Sequence, residues 1–263
     1  HNGALRRFRL SHASTRFPGA ARRCALTCTS ATHVATRHVR LVLASASKSW
    51  GCSRVPLADE FFFVAHDVQT GRLRLQNRAA GLGLAGALLG ELVLNGNIDV
   101  ANGTLTVIDG QRLPEDDLGY RVLRQLTADR QNRSLRTWLA YFSQGAVERV
   151  GVRLTRAGHV QATKTRRPWG TVVRYMPNDL NMAVWPADRL NLLVSRGDPL
   201  DFPDAMLAGL VAITGMTKQV WWDGDAVTLR NIAAAVASLP VSLREILAHT
   251  EAAVGDATLS PHS

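Results

Sequence analysis

An apolar run of 16 residues, Ala79–Leu94, broken only by Glu91, constrains this chain more than any other feature. It falls short of the roughly 18 apolar residues that a membrane span needs. It carries Gly83, Gly86 and Gly90 inside a helical pattern. Each interior glycine costs a helix about 1 kcal/mol relative to alanine, so such a helix depends on neighbours that pack closely over it. The pattern predicts a core helix with Leu88, Leu89 and Leu92 on its buried face. Upstream, Leu57–His66 reads as a short apolar helix ended by the turn-like Asp67–Gly71, and Arg72–Gln76 alternates as a half-buried strand does. Downstream, Asn97–Val100 and Thr104–Ile108 flank Asn102-Gly103, the pair that favours a type I′ hairpin.

Helical signals dominate the remainder. Helices are predicted over Asp116–Thr127, Ser134–Phe142, Ala146–Ala157, Asp188–Ser195, Asp204–Met216, Ala226–Ser238 and Val241–Ala253. Ser242 and Glu245 have the spacing of a capping box for the last of these. A second hairpin, His159–Lys164 with Thr171–Tyr175, carries the basic tip Thr165–Gly170. No internal repeat is visible. Residues 55–263 form one mainly α domain, of a size that supports its own core.

Residues 1–54 differ in kind. Up to Asp59, the first acid, the chain holds ten Lys or Arg. The whole chain has 31 basic and 21 acidic residues, so 21 of each remain from Asp59 onward and the formal +10 belongs to the tail. The sequence pI of about 10.6 is therefore no argument that the body binds nucleic acid. The tail reads as disordered, as a transit peptide, or as an open reading frame drawn too long with Val55 as the natural start; the last is favoured. Cys24, Cys28 and Cys52 all fall in it, and Cys24/Cys28 lack a second pair for zinc.

Catalytic and cofactor motifs are not found. Gly81-Leu82-Gly83-Leu84-Ala85-Gly86 is literally GxGxxG, but its glycines lie within the predicted helix, and a hairpin follows instead of a parallel strand. Helix packing accounts for them. His66-Asp67 reads as a helix-end cap or surface pair, because no third group completes a catalytic set. Asp116-Asp117 reads as a pair stabilising a helix N-terminus. The chain is read as non-enzymatic, with no cofactor and no metal.

Between Glu148 and Arg174 lie seven basic residues: Arg149, Arg153, Arg156, Lys164, Arg166, Arg167 and Arg174. Glu148 is the sole acid there. Arg149, Arg153 and Arg156, at i, i+4 and i+7, share one helix face. Trp169 beside Arg166-Arg167 could enter a lipid interface while the guanidiniums meet phosphates. The alternatives are a solvated basic face with Trp169 folded into the core and, since a helix then a basic hairpin outlines a winged helix, a nucleic-acid surface.

These residues also carry a family resemblance. Leu57-Ala58-Asp59-Glu60-Phe61-Phe62-Phe63-Val64-Ala65-His66-Asp67 with Gly71-Arg72-Leu73 resembles the opening of the Golgi phosphoprotein 3-like proteins, particularly their actinobacterial members. Gly86–Ile98 is similar to that family's G-x-x-L-x-E-L-x-L-x-G-x-(I/L) pattern, and Leu154-Thr155-Arg156-Ala157-Gly158 to the helix end before its hairpin. The resemblance implies a single compact helical domain with short β-hairpins, one projecting and basic. It also implies a cytoplasmic protein, peripheral to the membrane, that binds phosphatidylinositol 4-phosphate. The eukaryotic pocket's Trp, Arg and Arg-x-x-Arg positions are Gln76, Ala85, Gln144 and Val147 here, so none is retained; Arg74, Arg78, Arg149 and Arg153 stand near enough to rebuild a basic site. The expected lipid-binding set is Arg149, Arg153, Arg166 and Arg167 on phosphate, Trp169 as anchor, and Arg78 in support. A homo-oligomer through the 159–175 hairpin, or a scaffold without lipid function, is the rival; nucleic acid ranks below both.

Overall fold

The computed structural model describes residues 55–108, 113–167, 170–221 and 225–259. The tail and its cysteines lie outside the described residues, as does Trp169. Along the described chain the order is α1 (Leu57–Ala65), α2 (Asn77–Leu94), β1 (Ile98–Ala101), β2 (Thr104–Val107), α3 (Asp117–Ala128), α4 (Leu135–Ser143) and α5 (Ala146–Arg156). Then come β3 (Val160–Arg167), β4 (Gly170–Pro177), α6 (Leu180–Arg196), α7 (Phe202–Ile213), α8 (Thr217–Val220), α9 (Ala226–Ala237) and α10 (Val241–Leu259). The fold is mainly α, and its strands form two separate antiparallel hairpins, β1-β2 and β3-β4.

Helix α2 is buried on every side from Ala79 to Gly90, and α1, α3, α4, α5, α7 and α10 pack around it. Its glycines are the reason they can. A Cβ at Gly83 would lie 2.4 Å from the Phe61 ring of α1; at Gly81, 2.6 Å from the Ser143 carbonyl oxygen of α4; at Gly86, 2.8 Å from Thr250 Oγ1 of α10. Three neighbours thus approach one helix at three depths, which explains the GxGxxG spacing without a nucleotide. Protein interiors pack at crystal-like density, so removing side chains from α2 is what lets the surrounding helices close on it.

The β1-β2 hairpin turns at Asn102 (φ 54°) and Gly103 (φ 68°), both left-handed, as the Asn-Gly signal requires. Its turn amides are held from across the fold: Asn102 N and Gly103 N donate to Glu245 at 2.8 and 2.7 Å. This corrects the capping-box expectation. Helix α10 opens on Pro240 and Val241, so Ser242 lies inside it and bonds Asp99, leaving Glu245 to serve the hairpin.

Two further expectations change. Arg72–Gln76 forms no strand; His66 and Leu73 make one isolated bridge, and the alternation reflects half-buried Leu73 and Leu75 against exposed Arg72 and Arg74. Helix α6 begins eight residues earlier than the predicted Asp188, at Leu180, capped by Asp179 and passing through a buried Pro186. Proline deletes one backbone donor, and here the helix absorbs that loss. Asp116 is the N-cap of α3, accepting from Gly119 N at 2.8 Å, as the paired acids suggested.

Candidate anion-binding site

The basic region is built around the junction of α4 and α5. Helix α4 ends at Ser143, and Gly145 at φ 70° reverses the chain into α5. That left-handed conformation suits glycine. The β3-β4 hairpin then docks on α5 through Tyr175, whose ring would overlap a Cβ at Gly151 (2.4 Å). Tyr175 also meets Phe62 edge-on, ring centroids 5.2 Å apart, and its amide donates to the Gly71 carbonyl at 3.1 Å. Burial, and secondarily Glu148, raises the Tyr175 phenol above its ordinary value.

Two clefts flank this junction, and they divide the cations. The hairpin cleft, about 1060 Å³, lies among the start of α2 at Asn77, the α4-α5 turn and the inner face of β3-β4. Lys164 and Arg166 line it; two residues apart on β3, with Lys164 opposite Val173, these three share a face. The helical cleft, about 610 Å³, lies among α3, α4 and α5, with Arg121, Arg149 and Arg156 along it. Glu148 and Gly145 belong to both.

The expected site residues are therefore separated. Arg166 faces the hairpin cleft. Arg78 is exposed on the first turn of α2, one residue from Asn77 of that cleft. Arg149 lies in the helical cleft, its guanidinium donating to the Gln144 carbonyl. The Arg167 side chain and Trp169 lie outside the described residues. Of the family pocket positions, Gln76 is exposed at the N-cap of α2, Ala85 is fully buried, Gln144 lines the helical cleft and Val147 the hairpin cleft.

Arg153 is turned inward, with its side chain only 11% exposed. It binds Asp59 of α1 at 2.7 Å, Asp116 of the α3 cap at 3.0 Å and Glu91 of α2 at 3.4 Å. Its charge is more than neutralised, which removes it from the phosphate-contacting set. Burial opposes its charge, but Glu91, Asp59 and Asp116 outweigh that and raise its pKa. The acids feel burial most: it pushes Glu91 up to about 7 and Asp59 up to about 6 despite Arg153. A second inward guanidinium, the half-buried Arg189 of α6, takes Glu60 through both oxygens at 2.8 and 3.1 Å and Asp204 of α7 at 2.6 Å. These ties were missed at the sequence level. Three acids inside apolar helices, Asp59, Glu60 and Glu91, were the available signal, since buried carboxylates must find partners.

His66 is likewise buried and not at the surface: it stacks on Phe62 at 3.9 Å and contacts the Phe62 carbonyl through Nδ1 at 2.8 Å. Burial lowers its pKa to about 4. Asp67 caps the following turn through Thr70 N and Gln69 N.

No curated protein matches the chain. The family model described as Golgi phosphoprotein 3 (GPP34) matches residues 57–252, from the first residue of α1 into α10. The chain belongs to the Golgi phosphoprotein 3 (GPP34) family.

Proposed function

We propose that this protein is a peripheral membrane protein without catalytic chemistry, and that its hairpin cleft takes the headgroup of an anionic phospholipid. Phosphatidylinositol 4-phosphate is the finer expectation from the family. One observation carries the reading: Lys164 and Arg166 stand exposed on one hairpin face above a large cleft, and neither is ion-paired among the described residues. Half-buried Val173 and exposed Val172 give that cleft apolar surface beside the cations, the pairing that suits a lipid interface. Arg78 stands at its α2 rim, and Arg167 and Trp169 follow Arg166 in sequence. Among the described residues no helix is long and apolar enough to cross a membrane, so contact through a surface fits the chain.

The test is co-sedimentation of the full chain with vesicles of neutral lipid, of phosphatidylserine, or of phosphatidylinositol 4-phosphate at matched charge. Lys164→Glu/Arg166→Glu, which leaves the basic tail intact, should lose most of the binding to anionic vesicles. Preference for the phosphoinositide supports headgroup recognition; equal binding to both anionic vesicles supports a charged surface alone. Undiminished binding by the folded double variant contradicts the site.

A second reading rests on the same element. The β3-β4 sheet has two strands among the described residues; Gly71 meets the outer edge of β4 at Tyr175, which leaves the outer edge of β3 for pairing with another strand. A second copy of the chain is the partner that edge would take, and concentration-dependent mass lost on deleting residues 163–170 would support it.

A further inference from the structure

The helical cleft on the far side of the α4-α5 turn is left unused by the lipid-headgroup reading. We propose that it is a second ligand site, for a single-chain anionic amphiphile such as a fatty-acid carboxylate. Its volume, about 610 Å³, lies in the range of small-molecule sites. Its walls are apolar where they are deep, at Leu118, Val122 and Phe142, and partly exposed at Tyr141 and Val152.

Charge decides which ligand. Arg121 and Arg156 share one carboxylate, Asp117, at 2.9 and 3.4 Å. Arg149 has only the Gln144 carbonyl. Arg153, at the inner edge, is already satisfied by three acids. Three outward guanidiniums thus line the cleft, two of them on Asp117, with Glu148 at the boundary to the other cleft. An incoming anion completes that set, and a cation is repelled. Charge-assisted bonds of this kind are among the stronger polar contacts.

Shape favours a chain over a folded partner. From Arg149 to Arg156 the cleft follows two turns of α5, about 10 Å at 1.5 Å per residue. The Gln144-Gly145 turn lines its end. A helix docking by i, i+3, i+4 and i+7 anchors would need that whole length open at both ends. The cleft is also preformed. Asp116 caps α3 through Gly119 N and binds Arg153 of α5, so one side chain ties both walls together. Preorganisation lowers the cost of binding.

The experiment is calorimetric titration of the full chain with dodecanoate below its micelle threshold, beside dodecyltrimethylammonium as the same chain with opposite charge. Saturable one-to-one binding of dodecanoate alone is expected. Val152→Trp, at a partly exposed wall position, should abolish it with the thermal transition retained. Arg121→Ala/Arg149→Ala should weaken it by about tenfold or more, the loss of two charged hydrogen bonds. Lys164→Glu/Arg166→Glu should leave it unchanged, which separates this site from the headgroup site. Equal binding of both amphiphiles, no dodecanoate binding, or full binding by folded Val152→Trp would each overturn the proposal.

Discussion

Arg153 and Arg149 sit one turn apart on the same helix and do opposite work. Arg153 points into the molecule, where three acids from α1, α2 and the α3 cap surround it. Arg149 lies along a surface cleft with a backbone carbonyl as its partner. The first charge is spent on holding four elements together; the second is free to meet something from outside. Residue type and spacing are the same, so what separates them is the presence of buried carboxylates on the neighbouring helices. The lesson extends to α6, where Arg189 is held between Glu60 and Asp204 while Arg196 of the last turn is exposed.

The comparison breaks most sharply if the two arginines are removed one at a time. Arg153→Ala strands three acids around an empty site, and removing one partner from a buried charge cluster costs about 3–5 kcal/mol. Arg149→Ala is a surface change expected within about 0.5 kcal/mol. Urea unfolding of both variants checks this; equal losses would mean the inward cluster is not a structural tie.

The next effect concerns α2, the helix that carries Glu91. Gly83→Ala puts a methyl group 2.4 Å from the Phe61 ring. Overpacking costs about 1–3 kcal/mol, offset by about 1 kcal/mol of gained helix propensity. A net loss of up to about 2 kcal/mol is expected by chemical denaturation, whereas a net gain would mean that α1 and α2 are not in close contact.

Smaller, but more diagnostic, is the response to pH. Glu91 at about 7 and Asp59 at about 6 lie above their ordinary values of 4.5 and 3.8. The folded state therefore holds protons that the unfolded chain has released, and this contribution to stability is lost as pH rises through those folded values. His66 acts in the other direction: at about 4 against 6.5, it stays neutral where the unfolded chain takes up a proton, so its contribution is lost as pH falls from 6.5 to 4. The two oppose each other below pH 6.5, and above it the carboxylates act alone. The urea midpoint should fall between pH 6.5 and 7.5, and Glu91→Gln, which still accepts from Ala58 N, should flatten that fall. A slope unchanged in the variant would place the proton elsewhere.

The core was legible because α2 announces itself: an apolar run with glycines has few uses other than central packing, and the structure fills each gap with an identified neighbour. The Asn102-Gly103 turn and the Asp116 cap were legible for the same reason, since each signal depends on adjacent residues alone. The start of α6 was not, because Pro186 imitates a helix boundary. The basic stripe was legible as a stripe and misread in direction. Spacing says that Arg149, Arg153 and Arg156 share a side; only the acids of other helices decide which guanidinium that side buries. Lys164 was counted with the basic face but passed over as a site residue, since its register opposite Val173 depends on the hairpin having formed.

The central claim is that the outward cations of the hairpin cleft, and no others in the described domain, hold the membrane. Vesicle flotation of three full-length proteins on phosphatidylserine membranes tests it most directly: the unaltered chain, Lys164→Glu/Arg166→Glu and Arg149→Glu/Arg156→Glu, each with a matched thermal transition. The account predicts that the hairpin variant stays at the bottom of the gradient while the helical-cleft variant floats with the unaltered chain. Flotation of the hairpin variant, or equal loss in both, would contradict it.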